Sequence, residues 1–301
     1  MANSILITGG SGLVGSHLVP LLKARGDKIS LLGRKKKSLS SIASFEWDYG
    51  RNYLEEGALD GVDTIVHLAG AGVADEKWST DRKTVILESR TQTSHLLYQK
   101  LKEGNHQVKT IIAASAIGLY GTDTGSQRLL EDSPVGSDFL AHVTDAWELS
   151  TRKFAELGIR VVQLRIGVVL SNKSGALVKL LEPPVAAPLG KGQQVMSWIH
   201  IEDLAQMIIK SIDDTDMTGP YNAVAPYPVS NKELTQAAAK AFGKTFVPLP
   251  VPGLILKVML GEMAAIVLGG SRVSSEKIQK AGFEFQFPKI EQAVKDLAKK
   301  K

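Results

Sequence analysis

Glycines at a regular spacing follow the first apolar run of the chain. Residues 5–17 read ILITGGSGLVGSH, so that four glycines form the pattern TGGxGxxG between an Ile-Leu-Ile run and leucines at helical spacing. In a strand–loop–helix unit the first glycine allows a tight turn, the third lets backbone approach a pyrophosphate, and the last lets the helix pack on the strand. The helix amino end then stabilises phosphate charge through its unpaired N–H groups and dipole. The predicted dinucleotide loop comprises Gly9, Gly10, Ser11, Gly12, Leu13, Val14 and Gly15.

The end of the second predicted strand indicates which dinucleotide is bound. This strand ends in Gly33 and is followed by Arg34 and Lys35, with no acidic residue. A carboxylate here would repel a ribose 2′-phosphate, whereas a guanidinium pairs with it bidentately, so we predict NADP with Arg34 as the phosphate ligand. Lys35 or Lys36 either adds charge or belongs to a solvated basic loop. Asp48, which ends the third strand, either meets the adenine edge or forms a turn.

The composition limits the class of protein. With 301 residues, 44% of them apolar, the chain can bury a large core, and the absence of cysteine excludes disulfides, thiol nucleophiles and thiolate metal sites. The net charge of +5 is concentrated at 34–37 and 299–301, without the aromatic–basic motifs of RNA-binding proteins or a recognition helix, so we expect no nucleic-acid partner. No basic leader precedes the first strand and no run of about 18 uncharged apolar residues is present, so we expect a cytoplasmic protein without a membrane span.

Predicted strands and helices alternate through the first half, which is typical of a parallel sheet covered on both faces. We predict strands at about 4–8, 28–33, 44–48, 63–68, 109–115 and 159–166, and helices at about 13–25, 80–103 and 138–157. After residue 170 the alternation ends. The fold class is therefore a doubly wound α/β Rossmann domain at 1–170, to which 199–215 returns through a helix at 203–213 with Asp203 as N-cap. A smaller α/β substrate lobe comprises 171–198 and 216–301.

Several motifs together resemble a known family. With the glycine loop, the segments HLAG at 67–70, SAIGLYG at 115–121, SWIHIEDLA at 197–205 and GFEFQFPKIEQAV at 282–294 resemble extended short-chain dehydrogenases/reductases, and within them an atypical branch of the NAD-dependent epimerase/dehydratase family. The resemblance covers essentially the whole chain. It implies an NADP-binding amino-terminal domain, with further contacts from Leu68, Ala69, Gly70, Arg90 and Val169. For Arg90 the alternative is a surface ion pair with an acidic neighbour on its helix.

The sequence departs from the superfamily in its catalytic residues. Active members of the superfamily use a Ser together with a Tyr and a Lys four residues apart on the following helix, where the ammonium lowers the pKa of the Tyr. Ser115 fits the serine position, but 139–148 reads FLAHVTDAWE and contains neither Tyr nor Lys. Tyr120, in the loop after Ser115, either replaces the missing acid or closes the loop structurally. His142 is either a proton carrier or a surface residue.

Two other patterns favour structural roles. Tyr98 and Lys102 have the spacing of the missing pair, but they lie on the helix before the Ser115 strand, at the wrong end of the sheet. His200 fits a junction between the lobes better than a metal site, because no second ligand stands at a suitable spacing. Trp198 either lines a substrate pocket or fills the core.

These residues lead to two alternative functions. The first is an NADP(H)-dependent oxidoreductase or epimerase acting on a small molecule, for which a nucleotide sugar is one candidate, with Ser115 and Tyr120 as catalytic residues. The second is a binding protein that kept the NADP pocket, lost turnover and reports the redox state of the nucleotide to a partner. The sequence does not determine the oligomeric state.

Overall fold

The computed structural model describes residues 2–36 and 42–300, so Lys37 and Lys301 of the basic clusters lie outside the described residues. Its strands are β1 (Ser4–Thr8), β2 (Lys28–Gly33), β3 (Ala43–Asp48), β4 (Tyr53–Leu54), β5 (Thr64–His67), β6 (Thr110–Ala116), β7 (Arg128–Leu129), β8 (Arg160–Ile166), β9 (Val168–Leu170), β10 (Val195–Met196), β11 (Trp198–His200), β12 (Gly219–Ala223), β13 (Val229–Ser230) and β14 (Arg272–Val273). The helices are α1 (Leu13–Ala24), α2 (Thr80–Glu103), α3 (Phe139–Arg152), α4 (Ala176–Leu181), α5 (Ile201–Asp213), α6 (Asn231–Ala241), α7 (Gly253–Leu260), α8 (Ala264–Leu268), α9 (Glu276–Lys280) and α10 (Ile290–Lys299).

Within the described ranges, eight strands form one sheet in the order β12-β8-β6-β5-β1-β2-β3-β4. All neighbours are parallel except β4, which pairs antiparallel with β3. The strand order reverses at β1, and in such sheets ligands bind outside the carboxyl ends of the strands at this reversal. The doubly wound α/β fold expected from the sequence is therefore confirmed.

The alternation of side chains along β1 explains why both sheet faces are covered. Ile5 and Ile7 point into a core that α1 and α5 close, whereas Leu6 points into a second core closed by α2. All three side chains are fully buried. An apolar run in a central parallel strand thus holds helices on both faces and fixes the position of the loop after β1.

The structure differs from the sequence expectations at the carboxyl side of the sheet. Residues 219–223, expected in the second lobe, form β12 and pair in parallel with β8 in the main sheet. This five-residue strand was missed because GPYNA has little apolar periodicity and is recruited by the edge of β8. The helix expected at 138–157 ends at Arg152 and continues as a 3-10 turn over Lys153–Leu157.

The expected N-cap of α5 is wrong. His200 caps this helix through Nδ1, which accepts from the Glu202 N–H at 3.1 Å. Asp203 lies inside the helix, fully buried, and its carboxylate accepts from the backbone N–H groups of Gln286 and Phe287. Because those two residues are more than 80 positions away, the use of this carboxylate to hold the carboxyl-terminal segment is not visible in the local sequence.

A separate apolar cluster lies under the carboxyl-terminal helices. It includes Leu177 of α4, Leu234 and Ala238 of α6, and Ile290 and Val294 of α10. These helices pack on each other and on β9 rather than on the large sheet. In the described part of the chain, no helix has the length and apolarity needed to cross a membrane.

Candidate functional site

The glycine loop between β1 and α1 has a shape that only glycine permits. Gly9 has a φ of +68°, and a Cβ there would lie 2.8 Å from the carbonyl carbon of Leu68. A Cβ on Gly15 would lie 2.5 Å from the Cα of Gly10. Because both obstacles are backbone atoms, neither can move aside as a flexible side chain would. The loop is therefore drawn tightly between the first turn of α1 and the end of β5.

The amino end of α1 fits an anion. Gly12 is its N-cap, supplies no side-chain acceptor, and is followed by a first turn without acidic residues. The orphan N–H groups at this end carry a partial positive charge and remain open to a phosphate. Ser11 and Gly12 are exposed, and Leu13 and Val14 are half-buried beside them. Val169 packs among the apolar residues next to Leu13 and Val14, so the predicted loop and this predicted contact lie together.

A buried hydroxyl–imidazole chain holds the next predicted segment. The Thr8 hydroxyl is 2.8 Å from Nδ1 of His67, and its oxygen accepts from the backbone N–H groups of Leu68 and Ala69 at 3.1 Å each. The Nε2 atom of His67 lies 3.1 Å from the Ser94 hydroxyl on α2. Burial lowers the pKa of His67 to about 4, so the ring is neutral at physiological pH. This chain fixes the backbone of the HLAG segment beside the glycine loop.

The basic residues after β2 differ in their partners. Gly33 ends the strand, and Arg34 and Lys35 are exposed without an ion-pair partner in the described ranges. Lys36, by contrast, donates to Glu55 at 2.7 Å and is turned toward β4. Of the three cations, Arg34 and Lys35 are therefore the ones left for a ligand.

Asp48 is engaged in its own loop. One carboxylate oxygen accepts from the N–H groups of Gly50 and Arg51, at 2.9 and 3.3 Å, and the other accepts from Nε of Arg51 at 2.7 Å. These bonds cap the 3-10 turn Tyr49–Arg51 and lower the pKa of Asp48. The structure thus gives this carboxylate the turn-forming role, and its contact with adenine remains a prediction.

A cavity of about 250 Å³ opens at the carboxyl edge of the sheet, among β6, β8, α2 and α3. Arg90 of α2 lines it, with its guanidinium carbon 4.9 Å from the centre of the Trp147 ring. Nη1 of Arg90 donates to the carbonyl of Ile86 at 2.8 Å, and no carboxylate pairs with this guanidinium among the described residues. Burial, assisted by the charge of Arg82, lowers the pKa of Arg90 to about 10. A buried cation without a counter-charge favours an anionic ligand, because such a charge is costly unless paired.

Gly70 lies against the same arginine. A Cβ added to Gly70 would come within 3.1 Å of Cζ of Arg90. The glycine therefore leaves room for the guanidinium between the HLAG segment and the cavity. The alternative that Arg90 forms a surface ion pair on its own helix finds no support in the geometry.

Ser115 and Tyr120 belong to a buried polar network instead of facing this cavity. Ser115, Arg165 and Asn222 stand in register on β6, β8 and β12. The Ser115 hydroxyl donates to Glu148 of α3 at 2.6 Å, and Arg165 donates to both oxygens of that carboxylate, at 2.8 and 3.0 Å. The Tyr120 hydroxyl donates to Oδ1 of Asn222 at 2.6 Å and accepts from Arg165 at 2.8 Å. Ser115 and Tyr120, the two predicted catalytic residues, thus both donate their hydroxyl protons to other groups of the protein.

The electrostatics of the network agree with a structural role. Burial raises the pKa of Tyr120 to about 12, although the charge of Arg165 acts in the opposite direction. Burial also disfavours the Glu148 carboxylate, but hydrogen bonds from Arg165 outweigh this and lower its pKa overall. The same ion pair raises the pKa of Arg165. At neutral pH the network therefore contains a charged, hydrogen-bonded pair next to a neutral tyrosine that gives up its proton only at high pH.

The face of α3 that meets the cavity confirms that the usual acid–base pair is absent. Leu140 and Thr144, four residues apart, both line the cavity, and neither can act as a proton donor of the Tyr–Lys kind. His142 is exposed on the other side of the helix. Tyr98 donates to Glu156 at 2.8 Å and, with Lys102 near its ring, lies away from the cavity lining.

The remaining candidates have structural positions. Trp198 is fully buried, and its indole N–H donates to the carbonyl of Tyr227 at 3.1 Å, so it fills the core. His200 is buried at the start of α5, and burial lowers its pKa to about 4. Across residues 2–36 and 42–300, no cluster of three or more acidic or imidazole side chains has an arrangement that could hold a metal ion.

Sequence reasoning missed the two charged residues of the polar network, Arg165 and Glu148. Arg165 stands in the apolar run VVQLRIGVV, and Glu148 follows Trp147 on the apolar face of α3. A charged residue inside a buried stripe was the available signal, because such a charge needs a partner. The local sequence does not identify that partner, since 17 positions separate the two residues.

Comparison with known proteins places this geometry in a family. The NAD dependent epimerase/dehydratase family matches residues 5–225, and a domain of unknown function (DUF1731) matches residues 251–297. The chain belongs to the NAD dependent epimerase/dehydratase family. Membership confirms the resemblance drawn from the motifs and the expectation of a nicotinamide cofactor.

Proteins that match almost the whole of this chain support this membership. The epimerase family protein SAR0825 of Staphylococcus aureus is 34% identical over 298 residues, which cover 98% of this chain and 99% of that protein. The crystal structure of the human epimerase family protein SDR39U1 with NADPH superposes with a TM-score of 0.89 at 28% identity, covering 98% of this chain and 99% of that one. A nucleoside-diphosphate sugar epimerase from Corynebacterium glutamicum is 32% identical with a TM-score of 0.79, covering 99% of this chain and 59% of that one.

Proposed function

We propose that this protein binds NADP(H) at the glycine loop and acts on a small molecule held in the adjoining cavity. The observation that carries the proposal is the loop itself, in which Cβ atoms at Gly9 and Gly15 would strike backbone while the N-terminus of α1 stays open to an anion. Arg34 is exposed and unpaired within the described ranges, which favours the 2′-phosphate over a free hydroxyl. The similar human protein was crystallised with NADPH, which supports the same choice here.

The residues present fit a nicotinamide nucleotide. The loop supplies a cradle for the diphosphate, the HLAG segment passes beside it as fixed backbone, and Arg90 is a buried cation in need of an anion or another acceptor. When bound, the nicotinamide supplies two-electron redox chemistry. The chain supplies a partly open, mainly aliphatic cavity at the carboxyl ends of β6 and β8, where the reacting atoms would lie.

The proton chemistry must differ from that of the wider superfamily. Ser115 keeps its hydroxyl hydrogen bond to Glu148, and Tyr120 keeps its proton on the bond to Asn222. We therefore assign to Ser115 and Tyr120 the role of holding the cavity wall. A proton exchanged during turnover would come from water or from the substrate itself. The residues of α3 offer no replacement, because Leu140 and Thr144 occupy its cavity face.

The second function is a redox-sensing binding protein without turnover. It is favoured by the same observation, that the Ser115 and Tyr120 hydroxyls donate their protons within the protein. The two functions differ in one measurable respect. Purified protein is incubated with NADPH and a panel of carbonyl compounds and nucleotide sugars, and the absorbance of the reduced nicotinamide is followed. Consumption of NADPH, or conversion of an added compound to a new product detected by NMR, supports the enzyme. Tight binding of the nucleotide with neither consumption nor product supports the sensor.

The choice of cofactor is tested by substituting Arg34. Arg34→Gln is expected to weaken NADPH binding by about tenfold or more, the equivalent of one charge-assisted hydrogen bond, and to leave NADH binding unchanged. Lys36→Gln is the matched control, because it removes the same charge from the same loop at a residue that Glu55 already pairs. Isothermal titration calorimetry measures the affinities of the wild type and both variants for NADPH and NADH. Equal losses for both nucleotides in Arg34→Gln would contradict the assignment of NADP.

A further inference from the structure

One wall of the cavity belongs to a short helical segment of the carboxyl-terminal region. The segment at 253–268 consists of α7, a 3-10 turn at Gly261–Met263 and α8. Ile266 of α8 lines the cavity, and so do Gly269 and Gly270, which follow the segment directly. The position of this segment therefore decides how far the cavity is open.

The apolar side chains of segment 253–268 contribute little to holding it in place. Four of them on α7 are between 48% and 74% exposed, namely Leu254, Ile255, Val258 and Met259. In the described ranges, no residue of the segment belongs to the apolar clusters that form the cores of the protein. Its two helices and its turn pack on one another. Because burial of apolar surface is the main force that holds an element to a fold, this segment detaches at a low cost.

Both ends of the segment are fixed through the backbone. Before it, Val251 exchanges two backbone hydrogen bonds with residues 188–190, at 2.8 and 2.9 Å. After it, the carbonyl of Gly270 accepts from the N–H of Thr124 at 3.0 Å. Gly253 and Gly269 stand just inside these two points, and glycine permits a change of backbone angles at little cost. The segment is therefore anchored at two points with a flexible residue next to each.

Between its ends the segment has two polar attachments to the rest of the described chain. The carbonyl of Val267 accepts from Nε2 of Gln194 at 2.7 Å, next to the second anchor, where a rotation displaces the chain least. The other attachment lies at the 3-10 turn, where Nζ of Lys83 donates to the carboxylate of Glu262. The side chains of this pair are 30% and 63% exposed, and such solvated pairs contribute little to stability.

The ion pair between Lys83 and Glu262 joins the segment to another wall of the cavity. Lys83 lies on the first turn of α2, and Arg90 of the same helix lines the cavity about two turns further along. The ammonium of Lys83 is also 5.2 Å from the centre of the Phe139 ring, at the start of α3. The segment thus extends from its anchor at Gly270 to the wall that α2 and α3 form.

We propose that residues 253–268 form a lid that controls access to the cavity, with the ion pair between Lys83 and Glu262 as its latch. When the latch opens, the lid rotates about its two anchors and Ile266 leaves the cavity wall. Opening breaks one solvated ion pair and exposes little additional apolar surface. The lid concerns the way into the cavity, so it operates whichever nucleotide the glycine loop binds.

The test measures access to the cavity with a single thiol, because the chain contains no cysteine. Thr144 lines the cavity but is only 4% exposed, so a thiol at this position reacts when the wall moves. Thr144→Cys is treated with methyl methanethiosulfonate without any nucleotide, and mass spectrometry follows the rate of labelling. Adding Glu262→Gln is expected to raise this rate about threefold, because it removes the contribution of one exposed ion pair.

The matched control is Glu276→Gln in the same Thr144→Cys background. Glu276 pairs with Arg128 and Lys280, outside the lid, so the control removes an exposed carboxylate without touching the latch. It is expected to leave the labelling rate unchanged. Thermal melts verify folding, and Ile117→Cys, in the same lining, replaces the reporter if Thr144→Cys does not fold. Equal labelling rates in Glu262→Gln and Glu276→Gln would overturn the latch.

Closing the latch covalently gives the opposite change. In Lys83→Cys/Glu262→Cys a short bismaleimide joins the two thiols, and hydrogen exchange of the backbone amides is measured before and after the reaction. Exchange at 253–268 is expected to slow at least about tenfold, while exchange in α6 stays the same. Unchanged exchange at 253–268 would show that the segment does not move as a lid.

The outcome is separable from that of the proposed function, because neither measurement uses a nucleotide. A calorimetric titration with NADPH is made on the same protein. Absence of NADPH binding refutes the proposed function and leaves the lid standing, whereas normal NADPH binding with an unresponsive latch refutes the lid alone.

Discussion

The buried pair between Glu148 and Arg165 gives the sharpest prediction about how the site is held together. Glu148→Gln keeps the shape of the side chain and removes its charge. The carboxylate accepts from the Ser115 hydroxyl at 2.6 Å and from Arg165 at 2.8 and 3.0 Å, and it is 1% exposed. A carboxamide has one accepting oxygen, so its NH₂ group would face a donor of Arg165 or Ser115. The variant therefore leaves a guanidinium buried without its counter-charge.

The expected loss follows from this geometry. Breaking a buried ion pair by removing one partner costs about 3–5 kcal/mol, and Arg165 is itself 4% exposed, so little solvent is present to reduce that cost. For a chain of 301 residues, a loss of about 3 kcal/mol corresponds to a fall of about 5 °C in Tm. The free energy of unfolding is measured by guanidinium denaturation and the Tm by calorimetry.

A nearby arginine provides the control. Arg152 contacts the same carboxylate at 3.3 Å, but its side chain is 53% exposed, so Arg152→Gln is expected to cost less than about 1 kcal/mol. The double variant Glu148→Leu/Arg165→Met removes both charges and is expected to be more stable than Glu148→Gln. If Glu148→Gln were no less stable than Arg152→Gln, the network would not hold the wall of the cavity, and the structural assignment of Ser115 and Tyr120 would be refuted.

Two further predictions concern the glycine loop and its support. Gly15→Ala places a Cβ 2.5 Å from the Gly10 Cα, so the loop must shift. The affinity for NADPH, measured by calorimetry, is expected to fall at least about tenfold. The control is Pro20→Ala on the exposed side of α1, which is expected to leave that affinity unchanged. An undiminished affinity in Gly15→Ala would show that the nucleotide does not use this loop. The pKa of His67 is about 4 in the folded chain and about 6.5 in the unfolded chain. Below pH 6.5 the unfolded chain therefore takes up a proton that the folded chain does not, and the free energy of unfolding falls as the pH falls. Between pH 7 and pH 5 the wild type is expected to lose about 2 kcal/mol more than His67→Gln in denaturant titrations, and identical pH slopes would contradict a buried neutral imidazole.

Much of the cofactor half was predictable because its signals are local. Strands β1, β2, β3, β5, β6 and β8 lie within about two residues of their expected positions, since apolar runs between helical patterns are read directly from the chain. The glycine loop was equally visible, because backbone crowding at Gly9 and Gly15 dictates the residue type. Strand β12 was not predictable, because it forms by pairing with the edge of β8. The N-cap of α5 was misassigned because Asp203, a residue type typical of caps, instead binds the distant backbone of Gln286 and Phe287, and His200 caps the helix.

The amino-acid sequence by itself determined that a parallel sheet would carry a phosphate-binding turn at the start of its first helix, and that no Tyr–Lys pair would follow Ser115. These properties depend on residue type and on spacings of a few positions. Only the tertiary structure decided that the Ser115 and Tyr120 hydroxyls bond to Glu148 and Asn222, and that Arg90 and Trp147 stack together in the lining of an aliphatic cavity. The reason is physical: the direction of a hydroxyl proton and the pairing of a buried charge depend on which strands and helices meet, and that register is set by packing across the whole sheet.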